Sequence, residues 1–226
     1  MGNGIEETNN FVKKGMIETD DFANDKEIQR ARKEKVEFDK MMKDSIAIVK
    51  NRFQMKKTSR NRFKEFWMIK SLTITEVYET IKSENPFYPL QVSIIEYHSH
   101  YPIARGYNAG DDYYFFGLLT TKKSYPASLI YPEKFSDKIA DVFTRAELDI
   151  KENKKFSRNF YALTKEKEVL RQAFSLLSLD ELSEFKNLEF ELRENHCLFR
   201  NSRKPVSINE AQRFCAAAEK LIQIFG

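Results

Sequence analysis

Apolar positions along this chain follow two periods, and the change from one to the other divides it. From Asp25 to about Met55 there is no Gly or Pro, and Ile28, Val36, Phe38, Met41, Met42, Ile46, Val49 and Phe53 form an uneven apolar stripe. That spacing predicts a long helix starting near Asp25. Thr58-Ser59 breaks it and caps a second short helix through RNRFKEFWMIKSL, and Thr73 or Thr75 starts a third over Glu76–Lys82. Asn85-Pro86-Phe87-Tyr88-Pro89 is a firm break, because each Pro disfavours helix at the residue before it.

Beyond that break the period becomes that of strands. Leu90–His98 is rich in β-formers, Tyr101–Tyr107 is its expected partner, and Asn108-Ala109-Gly110-Asp111 supplies turn residues. Tyr113–Thr121 (YYFFGLLTT) predicts a buried strand. Lys122-Lys123-Ser124 turns the chain, and Ala127–Tyr131 is expected to pair back. Ser136 then caps a helix from Asp137 to about Leu148.

The stretch Lys155–Arg200 is locally consistent throughout. FYAL is a short strand, and Thr164 suits the N-cap of a helix with Val169, Leu170, Ala173, Phe174 and Leu177 on one face. Ser178 and Glu181 fit a capping box that starts a second helix at Leu179. Leu188, Phe190 and Leu192 alternate with Glu189, Glu191 and Arg193, the pattern of a strand wet on one side. Glu194-Asn195 is a tight turn, placed there because Asn tolerates positive φ, and His196–Arg200 returns. Ser207 and Glu210 form another capping box. Ala211, Phe214, Cys215, Ala218, Leu221, Ile222 and Phe225 then make an amphipathic closing helix.

The fold class is therefore α+β: an N-terminal helical region, then a domain of antiparallel hairpins with short helices and a closing C-terminal helix. The expected divisions are a loose arm over 1–23, a basic helical region over 24–84 and the α+β domain over 85–226. Cys197 and Cys215 fall on apolar positions and behave as small hydrophobes, a usage that fits a reducing compartment. No apolar run is long enough to cross a bilayer, and the first ten residues lack the charged and apolar regions of a signal peptide. The expected location is the cytoplasm, with peripheral attachment at the membrane as a second option.

At Tyr114–Leu119, at Lys155–Tyr161 (KFSRNFY), in the capped helices that follow and in LEFELRENHCLF, the chain resembles a prokaryotic domain family of unknown function that is often membrane-linked. The resemblance is one of pattern and covers about residues 90–225. Members often carry membrane-spanning segments ahead of the domain, where this chain has a basic segment. The resemblance implies a fold unit and transfers no catalytic residue.

Charge is what changes the functional picture. The net charge is +4, yet Lys50–Lys70 holds eight basic residues and a single acid, Glu65. Within it Lys56, Lys57, Arg60, Arg62 and Lys64 are interleaved with Phe63, Phe66 and Trp67. Such a segment suits an anionic membrane surface, with the aromatics entering the acyl boundary, or an acidic protein partner. It also suits nucleic acid, with charges on phosphates and rings stacked on bases. The bland alternative is a segment that packs its rings onto the domain and points its lysines at water.

His98 and His100 share one side of a predicted strand and are weak metal candidates, with His196 or Asp112 as a third ligand. Asp111-Asp112 reads as a turn pair, and the tyrosines between Tyr97 and Tyr131 either border a sheet or line a ligand groove. There is no G-x-S-x-G and no phosphate-binding loop, and seven glycines leave little room for one. The expectation is a non-enzymatic binding or scaffolding protein with no cofactor and no small-molecule substrate identified. Its partner is an anionic membrane surface or another protein. A nucleic-acid binder and an unrecognised enzyme or metal protein using His98 and His100 are the alternatives.

Overall fold

The computed structural model describes residues 25–59, 62–72, 74–103, 106–132, 145–146 and 150–226; for 25–27, 75, 98–103, 106–111 and 145–146 it describes the backbone alone. The expected arm over 1–23 and most of the expected helix over Asp137–Leu148 lie outside those residues. Within the latter, Arg145–Ala146 forms a short strand instead. The chain divides into two compact units, Met1–Lys40 and Met41–Gly226.

Helix α1 runs unbroken over Asp25–Phe53. Its residues in the first unit are exposed from Ile28 onward, and Arg30–Glu34 at 2.8 Å is an i,i+4 pair on that surface. In the second unit the helix buries Met42, Ile46, Val49 and Phe53. It ends at Gln54, whose φ of 51° turns the chain out of the helix. The Thr58-Ser59 break is thus displaced by four residues, and β1 (Met55–Lys57) follows at once.

The helix expected over Glu76–Lys82 is instead part of strand β2 (Ile74–Ser83). Its β-branched and aromatic residues (Ile74, Val77, Tyr78, Thr80, Ile81) suit a pleated surface, and pairing on both sides outweighs the local helical spacing. β2 pairs antiparallel with β1 and with β3 (Leu90–Ile103). β3 pairs in turn with β4 (Gly106–Pro132), from Ile103↔Gly106 to Leu90↔Leu119. Asn108–Asp111 therefore lies in a strand and not in a turn, paired with His98–Tyr101.

The centre of the sheet is an inserted hairpin. β7 (Glu189–Arg200) would span about 40 Å if straight, yet the Glu189 carboxylate accepts a hydrogen bond from Arg200 Nη2 at 2.6 Å. The strand doubles back at Glu194, which has a φ of 53°. The expected turn is in place, with the positive φ on Glu194 and not on Asn195. One arm of this hairpin pairs with the first arm of β4 (Gly117↔Phe199 to Thr120↔His196), the other with the last arm (Ser128↔Leu192 to Ile130↔Phe190). So Ala127–Tyr131 does return, but onto β7 on one edge and β6 (Phe160–Thr164) on the other, not onto its own first half. β5 (Arg145–Ala146) pairs with β6 beyond it.

Both faces of this sheet are covered, which is why its central strand is apolar without alternation. On one face Leu90, Val92, Ile94, Phe115, Leu119, Phe190, Leu192, Cys197 and Phe199 pack against α1 and against α5 (Ile208–Phe225). Helices α3 (Lys154–Asn159) and α4 (Lys167–Ser175) and the 3-10 helix Leu179–Glu184 join that layer. α5 begins as its capping box predicts: Ser207 Oγ accepts from the Glu210 N–H at 3.2 Å. The box at Ser178 makes no such bond. There the Leu179 N–H donates to Asn153 Oδ1 at 2.7 Å, and the helix is a 3-10 turn. Thr164 ends β6 and accepts from the Glu166 N–H, so α4 starts two residues later than expected.

Gly117 sits where the sheet meets the Phe199 ring, and a Cβ there would overlap that ring. Phe199 cannot give way, since it is stacked on Phe214 of α5 at 5.1 Å. Gly117→Ala should cost about 1–3 kcal/mol in urea unfolding; an unchanged midpoint would contradict this packing.

Candidate functional site

The basic segment forms the cover of the second face. A 3-10 helix, Phe63–Glu65, leads into α2, Trp67–Lys70. Phe63, Phe66, Met68 and Ile69 are buried among Ile95, Tyr114, Phe116, Leu118, Leu129 and Leu198, with Trp67 and Leu72 packed against them. Phe63 and Phe66 are 1% and 4% exposed, so neither ring is available to a bilayer or a nucleobase in this conformation. The anchoring role expected of these two rings is corrected accordingly, and Trp67 is only half-exposed. The physical reason is the apolar second face of the sheet, which needs a cover and takes these rings.

A buried carboxylate holds the cover in place. Glu191, 8% exposed, accepts from the Trp67 N–H at 2.9 Å and from the Met68 N–H at 2.8 Å. These are first-turn donors of α2, which have no partner within the helix. Arg193 Nη1 adds a bond to the Glu65 carbonyl at 2.9 Å. Burial pushes the Glu191 carboxyl above its ordinary value, while the two N–H donors, Arg193 and Lys70 pull the other way without restoring it.

Next to it lies a second buried group. Glu189 accepts from Arg200 Nη2 at 2.6 Å and from Arg203 Nε at 2.6 Å. Arg200 also donates to Tyr97 Oη at 3.2 Å and lies over the Phe116 ring at 5.7 Å. Burial raises the Glu189 carboxyl, but the two guanidiniums outweigh it and hold it below the carboxylate range. The side expected to be wet at Glu189 and Glu191 is therefore buried. The available signal was hairpin register: a reversal at Glu194-Asn195 sets Glu189 opposite Arg200, an ion pair and not a solvated face.

The charges of the segment face outward. Lys57, Arg62, Lys64 and Lys70 are exposed. Lys56 pairs with Glu84 at 2.8 Å, Lys50 with Glu79 at 2.7 Å, and Arg52 with Glu219. Arg60 lies outside the described residues. Arg62 also forms the wall of a groove of about 390 Å³ on the second face. Its floor carries Lys82, Gln91, Leu118, Thr120 and His196, drawn from four neighbouring strands, and the turn Glu84–Pro89 closes the far side. Burial lowers the His196 pKa and the Arg62 guanidinium lowers it further, against the weaker pull of Glu194 and Glu65.

His98 and His100 pair through the backbone with Asp111 and Ala109, and their side chains lie outside the described residues. Asp112 accepts from Tyr114 Oη at 3.4 Å. Among the described residues no group of three or more His, Cys, Asp or Glu is placed to hold a metal. Tyr97, Tyr114, Tyr125 and Tyr131 are core residues, not the lining of a groove. Cys197 and Cys215 are free and buried; burial raises the first thiol pKa and pushes the second up to about 12. Among the described residues no helix is long and apolar enough to cross a membrane. Comparison with family models, with curated proteins and with solved structures finds no match to this chain.

The raised pKa of Glu191 gives a signed expectation. Between its ordinary value of 4.5 and its folded value the native state holds more protons than the unfolded chain, so acidification through that window adds stability. Glu191→Gln lacks this contribution. The stability of the wild type relative to Glu191→Gln should therefore rise as the pH falls from neutrality toward the ordinary value of 4.5. A constant difference in urea unfolding would contradict it.

Proposed function

We propose that this chain is a non-catalytic binding or scaffolding module that engages an acidic protein partner through the outer charges of its basic segment, by charge and without aromatic insertion. The observation that carries this reading is the division within the segment. Lys57, Arg62, Lys64 and Lys70 project to solvent while Phe63 and Phe66 are sunk beneath them. A bilayer contact would rely on exposed rings for its apolar part, and base stacking would need the same rings. With both phenylalanines engaged in the core, an acidic protein surface asks least of what remains.

The surface is also well supported for such a role. Glu191 and Arg193 fix the backbone of residues 65–68, so the lysines extend from a held frame and lose less freedom on binding. Binding of this kind is expected to be sensitive to salt, since exposed charges are screened over about 8 Å at physiological ionic strength.

Retention on immobilised poly-glutamate, with mixed oligonucleotides and phosphatidylserine vesicles as parallel probes, tests the reading. The wild type should be retained at low salt and released as salt rises. Lys57→Glu, Lys64→Glu and Lys70→Glu together should remove retention while each alters stability by about 0.5 kcal/mol or less. Equal retention of wild type and triple variant would overturn the proposal, as would binding to oligonucleotides or vesicles but not to poly-glutamate.

A further inference from the structure

We propose that the groove between Arg62 and the Glu84–Pro89 turn seats an acidic peptide segment of the partner, one carboxylate lying between Arg62 and Lys82. This rests on the reading above and names where on that face the partner is held. Three observations lead to it.

The groove is a recess that offers both polar and apolar surface. Arg62 and Lys82 are its cations. Among the described residues that line it the acid is Glu84, which is already held by Lys56 at 2.8 Å. Lys56 and Lys82 lie directly opposite one another on β1 and β2. Like charges so placed repel, and one Glu84 carboxylate does not neutralise both. An incoming carboxylate would relieve that repulsion as well as meet Arg62.

The wall of the groove is built in advance. Ser83 Oγ donates to the Phe53 carbonyl at 2.8 Å and accepts from the Asn85 N–H at 3.1 Å. Asn85 Oδ1 accepts from the Phe87 N–H at 3.0 Å, and the Thr120 N–H donates to the Pro89 carbonyl at 2.9 Å. Tyr88 is engaged edge-on with Phe53 at 5.5 Å, which leaves the turn little freedom. A wall fixed in this way imposes a small ordering cost on a ligand.

The turn carries an apolar contact at its tip. Phe87 is 81% exposed, the most exposed of the large apolar side chains described, and it sits between the groove residues Pro86 and Tyr88. A cationic recess beside one projecting ring matches an extended segment that alternates acidic and apolar residues. A flat bilayer could meet Phe87 and the exposed Arg62 and Lys82 but would not fill the recess they border. Bases could stack on Phe87, but its neighbour in the turn, Tyr88, is already engaged edge-on with Phe53.

His196 reports on occupancy because it lies on the floor. The charged groups that act on it are Arg62 from the segment, Glu65 from the 3-10 helix and Glu194 from its own hairpin. A carboxylate bound beside Arg62 favours the imidazolium. Titration of the His196 ring signals by NMR, on the full chain with and without a capped pentaglutamate peptide, should show the pKa raised by about one pH unit. Arg62→Ala with Lys82→Ala should weaken pentaglutamate binding about tenfold or more. Because the wild-type titration needs no variant, a double variant that misfolds does not spare the proposal. An unmoved His196 pKa at saturating peptide overturns the groove, even where Lys57→Glu, Lys64→Glu and Lys70→Glu abolish retention and so uphold the outer face. The reverse pattern, a raised pKa with retention untouched by those three changes, upholds the groove and removes the outer face. A response to phosphatidylserine vesicles and not to pentaglutamate would also overturn it.

Discussion

Two backbone N–H groups at the start of α2, those of Trp67 and Met68, end on the carboxylate of Glu191. Glu191 stands in the middle of the sheet on a hairpin that is itself gripped on both edges by β4. The bond pair is local, but it fixes where a whole segment lies. Without it the first turn of α2 would carry unsatisfied donors against an apolar sheet, at about 1–3 kcal/mol for a buried group left unpaired. With it, Phe63, Phe66 and Met68 settle onto Tyr114, Phe116 and Leu198 as the second layer of the core. Lys64 between them and Lys70 beyond them are left pointing outward.

The same face shows how the sheet tolerates charge. Glu189 and Glu191 alternate with Phe190 and Leu192, so one hairpin presents carboxylates to one face and hydrocarbon to the other. Each carboxylate is satisfied differently: Glu189 by two guanidiniums, Glu191 chiefly by peptide donors. The pair shifts in opposite directions for that reason, down where cations face it and up where burial dominates. A buried charge is tolerable when its partners are complete, and here they are supplied by opposite ends of the chain order, from the segment at Trp67 and from the loop at Arg203.

Much of this was legible in the sequence. The long helix from Asp25, the buried YYFFGLLTT strand, the reversal at Glu194-Asn195 and the closing helix capped by Ser207 all follow from periodicity and end signals, because each is decided by local chemistry. What escaped was decided by partners distant in the chain. Glu76–Lys82 has helical spacing but becomes strand because β1 and β3 flank it. Glu189 and Glu191 looked solvated because nothing nearby in sequence marks their partners. The basic segment showed its composition plainly, yet which of its residues turn inward depends on a sheet face formed more than twenty residues later. Arg62 was visible as one charge among several; that it borders a groove with Lys82 and His196 needed the fold.

The central claim is that the basic segment is held on the sheet through Glu191. Amide hydrogen exchange at Trp67 and Met68 measures that most directly. Both amides should exchange slowly in the wild type, at rates set by opening of the domain, and should become fast in Glu191→Ala while the amides of β3 and β4 stay protected. Exchange at the rate of an unstructured peptide in the wild type would show that the segment is not held there, and the account would fail.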